Sequence, residues 1–349
     1  MNPPRRFNNP YPSAAPARST GKLLTLASGG WIIALAAFFS AAAAAYILYP
    51  AFETGFQHAT GDGRNPDTYG FDLSNLQIPR DQLIASGASK DSIRAIPASL
   101  VETITPPEVE LMHKNEHLNF IVPTDRIIGL TIDGQTRAYP ISVLNEHECI
   151  NDVFAGVPIA VTWSPLCGSA VVFDRRIDGP GKPPVAFGVS GLLVNSNTVL
   201  YDQRPDPRKE SLWPQLSFRA IAGPAVGKSL TLVPFTFTTW QAWTKVHPDA
   251  HVVEGLRRLK TTYTWNAFST YLSTDALKFP VSPIWNHPAV ALKTRIAVTR
   301  KDGRWTAEPE PLAAVPTTSP ALGAITVHSF VFAWYAQHPD DTDYSALLK

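Results

Sequence analysis

Side chains that could carry chemistry are concentrated between residues 145 and 215, where histidine, cysteine, serine and amide residues follow one another closely. His147 is the candidate general base or metal ligand, because imidazole serves in both roles. Cys167 is its candidate partner, in the turn-forming sequence Ser164-Pro-Leu-Cys-Gly168. Imidazole and thiolate together suit copper or zinc, so His147 and Cys167 define a candidate metal site in a binding module.

Both residues also have an ordinary structural explanation. Helical spacing over residues 141–152 places His147 on the apolar face, where its ring could make a hydrogen bond inside the core. Cys167 could be a small buried apolar residue. The same helix places Cys149 on the opposite face, which does not favour a disulfide between Cys149 and Cys167.

A hydrolase- or transferase-like enzyme is a second interpretation. His147 would be the base, and Ser190 or Cys167 the nucleophile. Ser190 lies in a predicted loop, residues 188–197, but Leu192 stands where the Gly-x-Ser-x-Gly elbow requires its second glycine. The polar side chains that could orient a small ligand are Glu148, Asn151, Asn195, Ser196, Asn197 and Asp202.

A third interpretation is a structural or partner-binding protein without chemistry. The formal net charge is +1, which gives no reason to expect a nucleic acid partner. The 2 cysteines, Cys149 and Cys167, cannot build a disulfide framework. The sequence contains no phosphate-binding glycine loop, no His-Glu-x-x-His helix and no paired Cys-x-x-Cys.

Residues 23–49 contain no charged residue and are long enough for one transmembrane helix. Arg18 and Lys22 precede this run and Glu53 and Asp62 follow it, so the N-terminus is predicted in the cytoplasm and the main domain in the periplasm or outside the cell. Residues 1–22 are predicted to be a disordered tail. A cleaved signal peptide is the alternative, with small residues at 40–45 for cleavage.

The fold class is predicted as α+β and mostly β, with short helices packed on an antiparallel or mixed sheet. Asp133-Gly134 between alternating apolar runs predicts a hairpin over residues 127–139. Helices are predicted over 80–95 and 238–246, in addition to 141–152. Further strands are predicted over 157–163, 169–174, 185–190 and 199–202.

A partial internal repeat is also visible. Trp243-to-Asp249 and Trp334-to-Asp340 both end in His-Pro-Asp, and residues 295–303 resemble residues 127–134. We therefore expect a complete β-rich unit over residues 116–254 and a shortened second unit over 255–349, after an irregular lead-in over 50–115.

Several motifs in fixed order resemble the bacterial family called domain of unknown function 3179, from about residue 120 to 250. They are Arg137-Ala-Tyr-Pro140, His147-Glu148, Asn151-Asp152, Pro165-Leu-Cys-Gly168, Phe187-Gly-Val-Ser-Gly191, Asn195-Ser-Asn197, Tyr201-Asp202, Ser211-Leu-Trp213 and Gln215. The resemblance implies export and frequent membrane or lipid attachment, and no established activity. The family commonly has a Cys-Pro-Leu-Cys turn, whereas this chain has Ser164 at the first position, which puts a paired-thiol mechanism in doubt.

Overall fold

A computed structural model describes residues 31, 35–40, 60–115, 120–256, 259, 262–264, 267–310 and 324–348. It divides into two compact units, Met1–His58 and Ala59–Lys349. In the first unit, residues 31 and 35–40 are helical and exposed, while the rest of the predicted anchor and the predicted tail lie outside the described residues. Within the described part, no helix is both long and apolar enough to cross a membrane.

The second unit is mostly β, with short helices on antiparallel and mixed sheets, as the sequence predicts. Its strands are β1 (Leu83–Ala85), β2 (Thr103–Ile104), β3 (Arg126–Ile132), β4 (Gln135–Pro140), β5 (Cys149–Phe154), β6 (Val157–Ser164), β7 (Ser169–Asp174), β8 (Ala186–Val194), β9 (Asn197–Gln203), β10 (Leu212–Pro214), β11 (Thr236–Thr239), β12 (His251–Val253), β13 (Arg295–Lys301), β14 (Arg304–Pro309), β15 (Ile325–Phe330) and β16 (Thr342–Asp343). Its α-helices are α1 (Pro106–Asn115), α2 (Ile141–His147), α3 (Trp240–Val246), α4 (Ser269–Leu272) and α5 (Val331–Gln337).

The strands described in this unit form three sheets. A 7-stranded sheet has the order β16-β14-β13-β15-β7-β6-β5, a 5-stranded sheet the order β11-β3-β4-β12-β2, and a 4-stranded sheet the order β1-β8-β9-β10. Side chains alternate between the two faces of a strand. Along β6, Ala160 therefore joins one hydrophobic core with Phe187 of β8, and Val161 joins another with Phe237 of β11. The seven-stranded sheet thus lies between the other two.

The chain follows the same path in two places. In the first, β11 pairs antiparallel with β3, α3 follows β11, and β12 pairs parallel with β4. In the second, β15 pairs antiparallel with β13, α5 follows β15, and β16 pairs parallel with β14. The last residue before each helix lies opposite an arginine, Thr239 opposite Arg126 and Phe330 opposite Arg295. Both hairpins turn at Asp-Gly, which confirms the predicted hairpin around Asp133.

The predicted helix over 141–152 is wrong in its second half. Glu148 adopts a left-handed conformation, with φ of 53°, which ends α2 at His147 and starts β5 at Cys149. Pairing of β5 with β6 overrides the helical spacing of this segment. Cys149 is buried in the core that also contains Cys167, whereas the partner of His147, Tyr263, belongs to the other core. Cys149 therefore faces away from His147 as predicted, although it is a strand residue, and both cysteines are free.

The predicted loop over 188–197 is also wrong. β8 continues to Val194 with an irregularity between Val189 and Leu192, and only Asn195 and Ser196 form the turn to β9. Gly188 leaves room for the ring of its cross-strand partner Tyr201, since a Cβ there would lie 2.4 Å from that ring.

The predicted helix over 80–95 is replaced by a short 3-10 turn, Arg80–Gln82, and by β1. β1 pairs with β8, and β2 pairs with β12, so the lead-in contributes strands to two of the sheets. The helix over 238–246 is confirmed with a start at Trp240.

Candidate functional site

His147 is a buried residue at the end of α2, and both of its ring nitrogens have partners. Nδ1 lies 2.6 Å from the carbonyl oxygen of Arg94, and Nε2 lies 2.8 Å from the hydroxyl of Tyr263. The carbonyl can only accept, so Nδ1 carries a proton and donates. Tyr263 belongs to the core on one face of the seven-stranded sheet and Cys167 to the core on the other. These contacts hold the ring away from Cys167, so the two residues predicted as partners are not brought together.

Glu148, the next residue, has its carboxyl group in a buried chain of hydroxyl groups. Its Oε2 accepts a hydrogen bond of 2.8 Å from the hydroxyl of Thr198 on β9. The Thr198 hydroxyl lies 3.1 Å from that of Ser164, and the Thr198 backbone N–H donates to the Ser164 hydroxyl at 3.3 Å. The left-handed backbone of Glu148 makes this possible, because it turns the side chain away from α2 and toward the sheet.

Cys167 adjoins the other end of this chain. Its thiol is fully buried and interacts with the side chains of Ser164 and Asn197. The backbone N–H of Cys167 donates to the Ser164 carbonyl at 3.1 Å, which closes the turn between β6 and β7. Glu148, Thr198, Ser164 and Cys167, here called the buried polar chain, therefore lie together at the end of the β6–β7 hairpin.

Burial decides the protonation of this chain. It raises the pKa of Glu148 to about 7, although the hydrogen bond from Thr198 opposes the rise. It also raises the pKa of both Cys149 and Cys167 to about 12. The thiolate is the reactive form, so both cysteines are unreactive thiols near neutral pH. Glu148 is the group in this chain that changes its charge near neutrality.

The amide residues beside Cys167 satisfy one another. Asn197 donates to Gln215 Oε1 at 3.1 Å, and Gln215 donates to the Thr162 hydroxyl at 3.0 Å. Ser169 also donates to Gln215 Oε1, at 2.5 Å. Buried polar groups are normally paired in this way, so the network fixes the approach of β9 to β6 and β7.

The other predicted residues make contacts that hold strands together. Ser190 donates to the Val199 carbonyl at 2.6 Å and accepts from the Leu192 N–H at 3.0 Å. Asn151 pairs with both backbone groups of Phe187, at 2.9 and 2.8 Å. Asp202 accepts from the Ser211 N–H at 2.6 Å and from the Trp213 indole at 3.1 Å.

The two turn residues between β8 and β9 contact the segment that follows α4 and the helix α5. The side chain of Asn195 accepts from the Ser282 N–H at 2.9 Å and donates to the Ala336 carbonyl at 3.2 Å. Ser196 donates to the Phe279 carbonyl at 3.2 Å. These contacts explain the two polar residues structurally.

A groove of about 880 Å³ lies elsewhere on the unit. Its lining residues include the buried aromatic residues Phe218 and Trp305 and the exposed arginines Arg219 and Arg300. His338 also lines it, with Nδ1 3.0 Å from Asp341 and Nε2 2.8 Å from the Leu216 carbonyl. The sequence singled out His338 only as part of a repeat.

The sequence profile described as "Protein of unknown function (DUF3179)" matches residues 95–319. The chain belongs to this family. No curated protein and no solved structure is significantly similar to it.

Membership in DUF3179 confirms the resemblance seen in the motifs and brings no activity with it. Many of the motif residues are explained by the fold, since His147, Asn151, Asn197, Asp202 and Gln215 each hold backbone or neighbouring side chains in place. Ser164 occupies the position where the resemblance implies a cysteine, and its hydroxyl interacts with the thiol of Cys167.

The described residues contain no group of three or more His, Cys, Asp or Glu side chains arranged to hold a metal ion. Thr198 and the groove residues Arg219 and Arg300 were missed by sequence reasoning. Thr198 directly follows the Asn195-Ser-Asn197 motif, but only strand pairing brings its side chain to Glu148. The two arginines are distant in sequence and belong to no motif, so no sequence signal could have joined them.

Proposed function

We propose that this chain is a ligand-binding protein of the cell envelope, with its ligand site in the groove lined by Phe218, Trp305 and His338. The observation that carries the proposal is the groove itself. Its volume of about 880 Å³ falls within the ~300–1,000 Å³ of small-molecule sites, and it combines aromatic rings with polar side chains.

The contacts of the predicted catalytic residues favour binding over catalysis. A general base needs a ring nitrogen that can reach a substrate, whereas His147 holds Arg94 and Tyr263. Ser190 has a backbone carbonyl as its acceptor rather than a base. The raised pKa of Cys167 leaves little thiolate near neutral pH.

A thiol or metal-binding role is the second candidate, and one contact favours it. The Ser164 hydroxyl interacts with Cys167, so the family's cysteine at position 164 would bring a second sulfur beside the first. In this chain such a site would use Cys167 with Glu148, in place of the predicted pair with His147. Titration with zinc and copper(I) tests it, and uptake unchanged by Cys167→Ser would exclude it.

We also propose that residues 23–49 anchor the protein and place its main domain in the periplasm or outside the cell. The uncharged run and the positive residues before it support this topology. The helical conformation of Trp31 and residues 35–40, with apolar side chains exposed, is compatible with it. Protease added to intact spheroplasts should digest the main domain. N-terminal sequencing should find a retained anchor and no cleavage at residues 40–45.

The repeated chain path supports the proposed duplication of a β-rich unit over residues 116–254 and 255–349. In both places a hairpin is followed by an antiparallel third strand, a short helix, His-Pro-Asp and a parallel strand. In the second place only the short segment 310–324 separates β14 from β15, and its described residues contain no counterpart of the β5–β9 region, in agreement with a shortened copy. β15 pairs with β7, so the two copies would share the seven-stranded sheet.

The binding proposal is tested by filling the groove. Ser229 is an exposed lining residue, and a Ser229→Trp side chain would occupy the groove without disturbing a core. Ser273→Trp, at an exposed position after α4, is the matched control. The full-length chain in detergent is screened by saturation-transfer NMR against monosaccharides, amino acids and dipeptides.

We expect at least one compound to bind the wild type and the control but not Ser229→Trp. Compounds that bind all three proteins equally would place the ligand site elsewhere. Absence of binding by any compound would contradict the proposed function for these classes of ligand.

A further inference from the structure

The charges of the groove are unbalanced. Arg219 and Arg300 are exposed on its lining, and neither guanidinium forms an ion pair with a side chain in the described part of the chain. Asp341 is the carboxylate among the lining residues, and it is already 3.0 Å from His338. Lys228 lies nearby in sequence but pairs with Asp178. The groove therefore has an excess of positive charge.

The uncharged part of the lining has two kinds of surface. Trp305 and Phe218, only 5% and 9% exposed, belong to a buried aromatic cluster with ring centroids 6.0 Å apart, and the Arg300 guanidinium lies 5.7 Å from the Trp305 ring. Ser217, Ser229 and Gln337 contribute hydroxyl and amide groups. Hydroxyl and amide groups can both donate and accept, as sugar hydroxyls also do.

We propose that the ligand of the groove is an acidic carbohydrate, a sugar or oligosaccharide that carries carboxylate groups. Guanidinium groups bind carboxylates through paired hydrogen bonds, and Arg219 and Arg300 are exposed residues of the lining. The serine and glutamine side chains match the remaining hydroxyls. This inference rests on the proposed binding function and adds the chemical class of the ligand.

An acidic peptide would share the carboxylates but not the hydroxyls. The lining includes the hydroxyl and amide groups of Ser217, Ser229 and Gln337, which a sugar can match with its own hydroxyls. The observations therefore favour the carbohydrate, and an acidic peptide becomes an outcome of the test.

The test uses two probes that differ only in charge. Tetragalacturonate carries free carboxylates, and its full methyl ester has the same sugar frame without them. Binding to the full-length chain in detergent is measured by isothermal titration at low salt. The variant is Arg219→Gln/Arg300→Gln, and the control is Arg64→Gln/Lys209→Gln, which removes the same charge from exposed positions outside the groove lining.

We expect the wild type and the control to bind the acid at least roughly tenfold more tightly than the ester, and Arg219→Gln/Arg300→Gln to lose most of that difference. Equal binding of acid and ester by the wild type would overturn the acidic class while leaving a carbohydrate groove in place. Binding of tetraglutamate with the same arginine dependence, and of neither sugar, would replace the carbohydrate with an acidic peptide. Binding of no probe would overturn this inference, and the groove-filling screen would then decide the proposed function separately.

Discussion

Arg126 and Arg295 stand at equivalent positions in the two hairpins, and both guanidinium groups contact the carboxylate of Glu310. Both also lie over the ring of Phe237, 4.6 and 5.1 Å from its centroid. His328 adds a hydrogen bond of 3.1 Å to Glu310. Burial, together with the charges of Arg295 and Arg126, lowers the pKa of His328 to about 3, so this ring is neutral. Two cations therefore share one carboxylate where the repeated segments meet.

Glu310→Gln should destabilise the protein, because it leaves the two guanidinium groups facing each other without an anion. Breaking a buried pair costs ~3–5 kcal/mol, and we expect about 2–3 kcal/mol because the arginine side chains are 25% and 30% exposed. Urea denaturation of the full-length chain measures the loss. Glu308→Gln, at an exposed position near the end of β14, is the control. A loss no larger than that of the control would show that the cluster is not stabilising.

Glu148 predicts a specific dependence of stability on pH. Its folded pKa of about 7 lies above the ordinary value of 4.5, so the folded state holds the proton more tightly than the unfolded state. The contribution to the free energy of unfolding is fully present below pH 4.5, falls as the pH rises to 7 and is constant above that. The total change is on the order of 3 kcal/mol.

Glu148→Gln should abolish this dependence, because the amide cannot ionise. Urea denaturation of wild type and variant at intervals between pH 4 and pH 8 tests the prediction. The free energy of unfolding of Glu148→Gln minus that of the wild type should increase between pH 4.5 and pH 7. Glu110→Gln, at an exposed position on α1, should leave the wild-type profile unchanged. If the stability of Glu148→Gln changed with pH in parallel with that of the wild type, the pKa of Glu148 would not be raised.

Ser164→Cys should place a second thiol beside Cys167. The Ser164 hydroxyl already interacts with that thiol, and the backbone turn holds the two residues together. The wild type has 2 free cysteines and should keep both after mild oxidation. Oxidised Ser164→Cys should form a disulfide and keep one free thiol, as counted by alkylation under denaturing conditions and mass spectrometry. Ser190→Cys, whose side chain bonds within β8 and β9, should keep all three thiols free.

His147 should contribute to stability rather than to chemistry. His147→Ala and Tyr263→Phe each remove one side of a buried hydrogen bond of 2.8 Å, so each should cost about 1–3 kcal/mol. The double variant should cost less than the sum, because the two changes remove the same bond. Urea denaturation measures the cycle. Additive losses would mean that the two residues act separately, and His147 would again be a candidate base.

Short-range patterns predicted several elements correctly. The Asp133-Gly134 turn, the strand over 169–174 and the helix ending before His247 depend on neighbouring residues, so the sequence alone could locate them. The helix predicted through Asp152 failed because Glu148 takes a left-handed conformation that no local pattern requires. The prediction of a loop over 188–197 was wrong because small residues are typical of loops, whereas in this segment they allow β8 to pack closely against its neighbours.

The candidate site divides in the same way. The motifs located the residues of the buried polar chain except Thr198, but they paired Cys167 with His147, which lies against the opposite core. Residue types alone do not show whether two polar side chains lie on the same face of a sheet, where they could contact each other, or on opposite faces. Strand register decides this, since β9 brings Thr198 to Glu148 and Ser164.

By itself, the sequence determined the family, the mostly β class, the uncharged run at 23–49 and the position of the β6–β7 turn, because each depends on residue types in a continuous segment. Tertiary structure alone decided which side chains meet. It separated His147 from Cys167, joined Arg126 and Arg295 at Glu310, and assembled a groove from residues spread between positions 77 and 341. Such contacts depend on sheet order and register, which are set by the packing of the whole unit.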